Sequence, residues 1–212
     1  NGEYAQSDKY HASLAGLKWE KGNFNSALNF RQINKNFTTV SAVPSNQGEI
    51  GTVWTTNYDT ESVTEQTTLD VYRQYLFYNP QNPNALNLDG SGRLRIPLWR
   101  DFFSDTNIYY VHTPGEVSPR RNLGLDERIS KIFNMLGFKN TYSYVGGALQ
   151  RVRYEFSTTS AYDRFSIVSG LQVPLTSRLS VYENYDYSWV NEIDTENRFN
   201  PSVFNTGFYY HQ

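Results

Sequence analysis

Three histidines, His11, His112 and His211, are the only imidazoles in the chain, and each stands alone, without the H-E-x-x-H spacing that a helical zinc site needs. There is no cysteine, so the chain offers no disulfide, thiolate nucleophile or Cys-ligated zinc. Neither a G-x-S-x-G elbow nor a Gly-rich phosphate loop occurs. The 21 acidic residues could supply a carboxylate pair for glycoside hydrolysis, because such a pair needs only to meet in space. Asn87-Leu88-Asp89-Gly90-Ser91-Gly92 echoes part of a calcium loop but lacks the ordered acidic positions and the closing Glu, so it reads as a Gly-rich surface loop. Asn36-Phe37-Thr38 fits a glycosylation sequon. The expectation is a chain without catalysis, metal or cofactor.

What could position other chemistry is a recurring two-residue rhythm. Phe24, Leu28 and Phe30 interleave with Asn25, Asn29 and Arg31; Leu179, Val181, Tyr185, Tyr187 and Trp189 interleave with Ser180, Asn184, Asp186 and Ser188. Successive side chains of a strand point to opposite faces, so each such segment offers one apolar and one polar face. Ile50, Trp54 and Tyr58 do the same against Gly51, Val53, Thr55 and Asn57, as do Phe165, Ile167, Leu171 and Val173 against Ser166, Gly170 and Gln172. Near residue 150, Tyr142, Tyr144, Ala148, Val152, Tyr154 and Phe156 form the apolar face, and Arg151, Arg153 and Glu155 fall on the polar one.

The pattern predicts eleven strands, near 10–20, 23–33, 49–58, 62–77, 92–101, 105–113, 124–135, 139–156, 162–175, 178–191 and 202–211. Residues 126–137 also read as an amphipathic helix through Ile129, Ile132, Phe133 and Leu136. Pro97 cannot donate to a ladder and predicts a bulge, an edge or an early strand end. Tight connections, as at Lys21-Gly22 and Leu136-Gly137-Phe138, alternate with longer polar ones at 34–48, 78–91, 114–123, 157–161 and 192–201. Short-long alternation is the order of an up-and-down membrane barrel and has no reason to arise in a Greek-key sandwich.

At 212 residues the chain fits one domain, 1–212, with a hydrophobic fraction of 38% held largely in 17 Tyr and 13 Phe. The net charge of −2, with scattered Lys and Arg, lacks the basic footprint of a nucleic-acid binder. No apolar run is long enough for a transmembrane helix, and a mean hydropathy of −0.63 is compatible with a membrane barrel, whose apolarity is hidden in alternation.

Segments such as Leu171 to Tyr182, a strand, a short turn and a strand, resemble the hairpin units of bacterial outer-membrane β-barrels of the porin-like kind. The resemblance covers nearly the whole chain and rests on pattern. It implies an all-β, up-and-down antiparallel transmembrane β-barrel with about 11–12 strands here, rings such as Trp19, Phe24, Tyr58, Tyr75, Phe77, Phe156, Tyr162 and Trp189 at the interfaces, and outer-membrane lipid as the surrounding partner. Barrels of this family hold an even strand number and end in an aromatic residue, so eleven segments ending at His211-Gln212 imply a partial chain lacking at least one upstream strand.

The polar faces imply a lumen lined by Asn25, Asn29, Arg31, Gln66, Asp70, Arg93, Arg95, Arg151, Arg153, Glu155, Asn184 and Asp186. One reading is a path for small polar or anionic solutes, in which guanidinium groups attract anions. The other is a plugged interior, with Arg151 and Arg153 neutralised by Glu155 or Asp186. The rival fold is a soluble secreted β-sandwich that binds carbohydrate through exposed Trp54, Trp99 and Tyr187.

Overall fold

The computed structural model describes residues 2–7, 10–37, 48–154, 161–193 and 195–210. Thirteen strands form one antiparallel sheet: β1 (Gly2–Ser7), β2 (Tyr10–Lys21), β3 (Phe24–Ile33), β4 (Glu49–Asp59), β5 (Thr64–Gln74), β6 (Asn87–Trp99), β7 (Phe102–His112), β8 (Arg120–Met135), β9 (Phe138–Tyr154), β10 (Tyr162–Pro174), β11 (Leu179–Glu192), β12 (Arg198–Phe199) and β13 (Ser202–Tyr210). Each strand pairs with its neighbours in sequence, in the order β1 to β12. The exception is β13, which pairs with β11 in line with β12, so the two are one strand interrupted at Asn200-Pro201. Proline has no N–H to give a ladder, and there the Ser188 N–H donates to the Pro201 carbonyl at 2.9 Å. Among the described residues no ladder joins β1 to β13.

Two sequence expectations change. The segment before Tyr10 holds a strand, β1, paired with β2 from Gly2↔Ala15 to Ser7↔Tyr10. Asn87–Gly92 opens β6 and is not a loop; its glycines face neighbouring side chains within the ladder. The strand expected over 124–135 forms as part of β8, and the helical alternative over 126–137 fails because β7 and β9 satisfy the β8 backbone on both sides. At Pro97 the register shifts between Pro97 and Trp99, the bulge being the outcome among the alternatives foreseen there.

From β2 onward the connections alternate as the sequence reading expects. Short ones close β2–β3, β4–β5, β6–β7, β8–β9 and β10–β11, and longer ones fall at the opposite end, where β1 and β2 are separated by residues 8 and 9 alone. Three of the short ones span two residues, and the one from β8 to β9 holds Leu136 (φ 52°) and Gly137 (φ 86°), both left-handed, which matches the twist of a two-residue hairpin.

Ladder partners share a face, so the register assigns every strand residue to one side. One side carries Arg31, Asp105, Ser130, Ser166, Ser180 and Ser188, all buried; Ser188 is 0% exposed. The other carries Leu17, Trp54, Ile108, Val145, Leu149, Phe165 and Phe208, all exposed, Leu17 at 74%. The inward face is mainly polar and the outward face mainly apolar, the reverse of a water-soluble core. A single sheet in sequential order with this inversion rules out the soluble sandwich.

Candidate functional site: the inward polar lining

The inward face follows from period two. Arg31 lies across the ladders from Leu14 and Gly51, and Gly51 from Tyr72, so one continuous row passes from β2 to β5. Arg31 sits near the long-loop end of β3 and holds two carboxylates. Its Nη1 and Nη2 donate to Asp70 Oδ1 and Oδ2 at 3.0 and 2.9 Å, and its Nε and Nη2 donate to Glu49 Oε2 at 3.1 and 2.9 Å. Such forked, charge-assisted bonds are the strong class of hydrogen bond, and here the three groups are largely buried.

The loops are tied to this cluster. The Tyr72 ring lies 5.6 Å from the Arg31 guanidinium carbon, and its hydroxyl donates to Glu116 in the 113–119 connection. That connection accepts from the 75–86 one: the Asn79 N–H donates to the Gly115 carbonyl at 2.8 Å, and Asn79 Nδ2 to the Pro114 carbonyl at 3.1 Å. Gly115 N–H in turn donates to Asn87 Oδ1 at the head of β6. The mouth at the long-loop end is therefore built by wall and loops together.

Further along the wall, arginines again face carboxylates on their own or adjacent strands. Arg93 and Arg95 approach Asp105 Oδ1 at 4.0 and 3.7 Å, and the Ser130 hydroxyl donates to Asp105 Oδ2 at 2.9 Å. Arg128 pairs with Asp126 at 2.8 Å, and Arg164 with Asp186 at 2.7 Å. Three inward tyrosines lie against glycines on the strand opposite. A Cβ on Gly124 would stand 2.0 Å from the Tyr109 ring, one on Gly170 2.2 Å from the Tyr144 ring, and one on Gly207 2.6 Å from the Tyr182 hydroxyl. Tyr144 then donates to Asn184 Oδ1 at 3.0 Å.

Of the residues read from sequence as lining the lumen, Asn25, Asn29, Arg31, Gln66, Asp70, Arg93, Arg95, Asn184 and Asp186 lie on the inward face. Arg31 and Asp70 meet directly, whereas Asp186 meets Arg164 instead of Arg151 or Arg153. Arg151 and Arg153 lie outward, on the face of Leu149 and Phe165, and pair with Asp163 at 3.0 and 2.8 Å. The physical reason is that β9 turns its tyrosines inward, where Tyr144 donates to Asn184 and lies over Gly170. Glu155 and Phe156 lie outside the described residues. Glu49, Asp105, Asp126, Arg128 and Arg164 were missed, although each shares parity with polar residues; Glu116, on a connection, carried no periodic signal.

Outward rings gather near both ends. Trp19 meets Phe24 edge-on at 5.3 Å near the short turns, and Phe165 stacks on Trp189 at 5.3 Å near the long loops. Tyr162 faces inward, opposite Val152 and Glu192, and Tyr75 and Phe77 follow the end of β5. Trp54, Trp99 and Tyr187 stand on β4, β6 and β11 and form no shared platform.

A sequentially wound antiparallel sheet, apolar outside, polar inside and short-turned at one end, defines the outer-membrane β-barrel class. No protein-family model and no curated protein matches the chain. Among solved structures it is similar to OmpT, an outer membrane protein of Vibrio cholerae folded in vitro, at 11% identity and a TM-score of 0.54 over 93% of this chain. The match spans 63% of the OmpT chain. It also aligns with the NanC porin (11% identity, TM-score 0.46, 100% of this chain and 97% of that one) and the β domain of the Bordetella autotransporter BrkA (13%, 0.38, 99% and 95%). The fold is that of outer-membrane β-barrels.

Proposed function

We propose that the protein sits in a Gram-negative outer membrane, long loops outside, as a porin-like channel that passes small polar solutes passively and performs no catalysis. The observation that carries this reading is how the inward side chains are held. Tyrosine rings lie across glycines of the wall, and arginines pair with carboxylates along it, so the largest polar groups are drawn toward the wall and away from the axis. With Arg151 and Arg153 outside, the anion preference expected from sequence loses two of its cations. Glu49, Asp70, Asp89 and Glu116 cluster near Arg31, which favours neutral or cationic solutes at the mouth.

Planar-bilayer conductance and vesicle swelling with sugars of graded size test the reading. Steady conductance with a size cutoff is expected. Folded protein, identified by heat-modifiable gel mobility, that neither conducts nor swells vesicles would establish a plugged structural barrel instead. Gly124→Val provides a second measurement. Its side chain must push the Tyr109 ring off the wall, lowering single-channel conductance and destabilising the fold by roughly 1–3 kcal/mol through overpacking. Unchanged conductance in the folded variant would mean that the ring has no bearing on the path.

A further inference from the structure

We propose that the outer wall at the long-loop end of β8–β10 binds one phosphorylated lipid of the surrounding leaflet, with its phosphate on Arg121, Arg151 and Arg153 and an acyl chain in the adjoining groove. The inference rests on the membrane reading above.

The charge pattern comes first. Arg121 and Arg153 are direct ladder partners, and His112 is the partner of Arg121 on its other side. Arg151 and Arg153 share a single carboxylate, Asp163, at 3.0 and 2.8 Å, while no carboxylate among the described residues pairs with Arg121. Like charges directly opposed across a ladder repel, and an outward arginine is costlier the deeper it lies in lipid. A phosphate group relieves both, because guanidinium forks match its oxygens. Arg153 is already held for this by Nη1, which donates to the carbonyls of Val152 at 2.7 Å and Tyr162 at 3.0 Å.

The shape agrees. A 280 Å³ hollow is lined by Tyr110, Arg121, Leu123, Arg151 and Arg153. Leu123 and Arg151 also line a 530 Å³ groove whose walls include Ile108, Leu125, Leu149, Phe165 and Trp189. All these residues face outward by register. A cationic pocket opening into an apolar trough matches a ligand with an anionic head and a hydrocarbon tail. A free anion would have no use for the trough.

Native mass spectrometry in neutral detergent, with phosphatidic acid and phosphatidylcholine of equal chain length, tests this. The folded protein is expected to retain phosphatidic acid about ten-fold better, a ratio within the reach of one or two charge-assisted hydrogen bonds. Arg121→Gln/Arg153→Gln should abolish the preference, Arg178→Gln at a short turn should leave it, and Asp163→Asn, which frees both arginines, should raise it. Equal retention of the two lipids, or an equal loss in Arg178→Gln and the double variant, overturns the site. Complete displacement of phosphatidic acid by millimolar inorganic phosphate would mark a free-anion site and overturn the lipid assignment. A detergent-folded barrel without the preference refutes this site alone; a chain monomeric in plain buffer refutes the membrane reading as well.

Discussion

Arg31→Ala is expected to lower the unfolding free energy of the barrel by about 3–5 kcal/mol, the range for removing one partner of a buried ion pair. The guanidinium is the shared donor for Glu49 and Asp70, and its side chain is only 8% exposed. Without it, two carboxylates remain in a poorly hydrated part of the wall, with Asp89 directly across the ladder from Asp70 and Glu116 held nearby by Tyr72. Gln74 reaches Glu49 at 3.4 Å and cannot replace the lost charge. Urea titration of the refolded protein in vesicles measures the effect. Arg31→Lys keeps the charge but loses the fork, so it should fall between wild type and alanine. Adding Glu49→Gln and Asp70→Asn to Arg31→Ala should recover much of the loss, because the penalty lies in unpaired charge and not in missing volume. A loss below about 1 kcal/mol for Arg31→Ala would mean that the cluster behaves as a hydrated surface pair.

Ile167→Arg should cost about 2–4 kcal/mol, the range for a charge introduced at mid-bilayer depth on a lipid-facing wall. Ile167 lies near the middle of β10, outward, between Gly147 and Tyr187 on the flanking strands. Thr68→Arg is the matched control. Thr68 is inward and exposed, so its substitution should stay within about 1 kcal/mol, as for other lumen-facing changes. Leu171 is a weaker site for the experiment because Glu183 is its ladder partner and would meet an arginine placed there. Ser180, though inward, is buried and leaves an arginine no room. Equal tolerance at Ile167 and Thr68 in a membrane-folding assay would contradict the assignment of the outward face to lipid.

The legible strands were those whose alternating residues differ sharply in polarity. In β3, Phe24, Leu28 and Phe30 against Asn25, Asn29 and Arg31 leave one assignment of faces, and the register agrees. β10 and β11 behave alike. In β9 the alternation is between tyrosines and arginines, and both types carry an apolar stem and a polar tip. The tyrosines went inside and Arg151 and Arg153 outside, which reverses the assignment made from ring content alone. β1 was missed because six residues with one ring, Tyr4, carry too little contrast to register as a period.

Period two and turn length are local properties, so the linear chain by itself determined that this is an up-and-down sheet with one wet and one oily face. Which carboxylate meets which arginine depends on pairing between strands far apart in sequence, as with Arg31 and Asp70, and on connections such as 113–119 bending back to the wall. Which way an amphipathic side chain turns depends on whether the neighbouring strand offers it a partner or a glycine. Tyr144 finds both, in Asn184 and Gly170, and only the assembled sheet places them beside it.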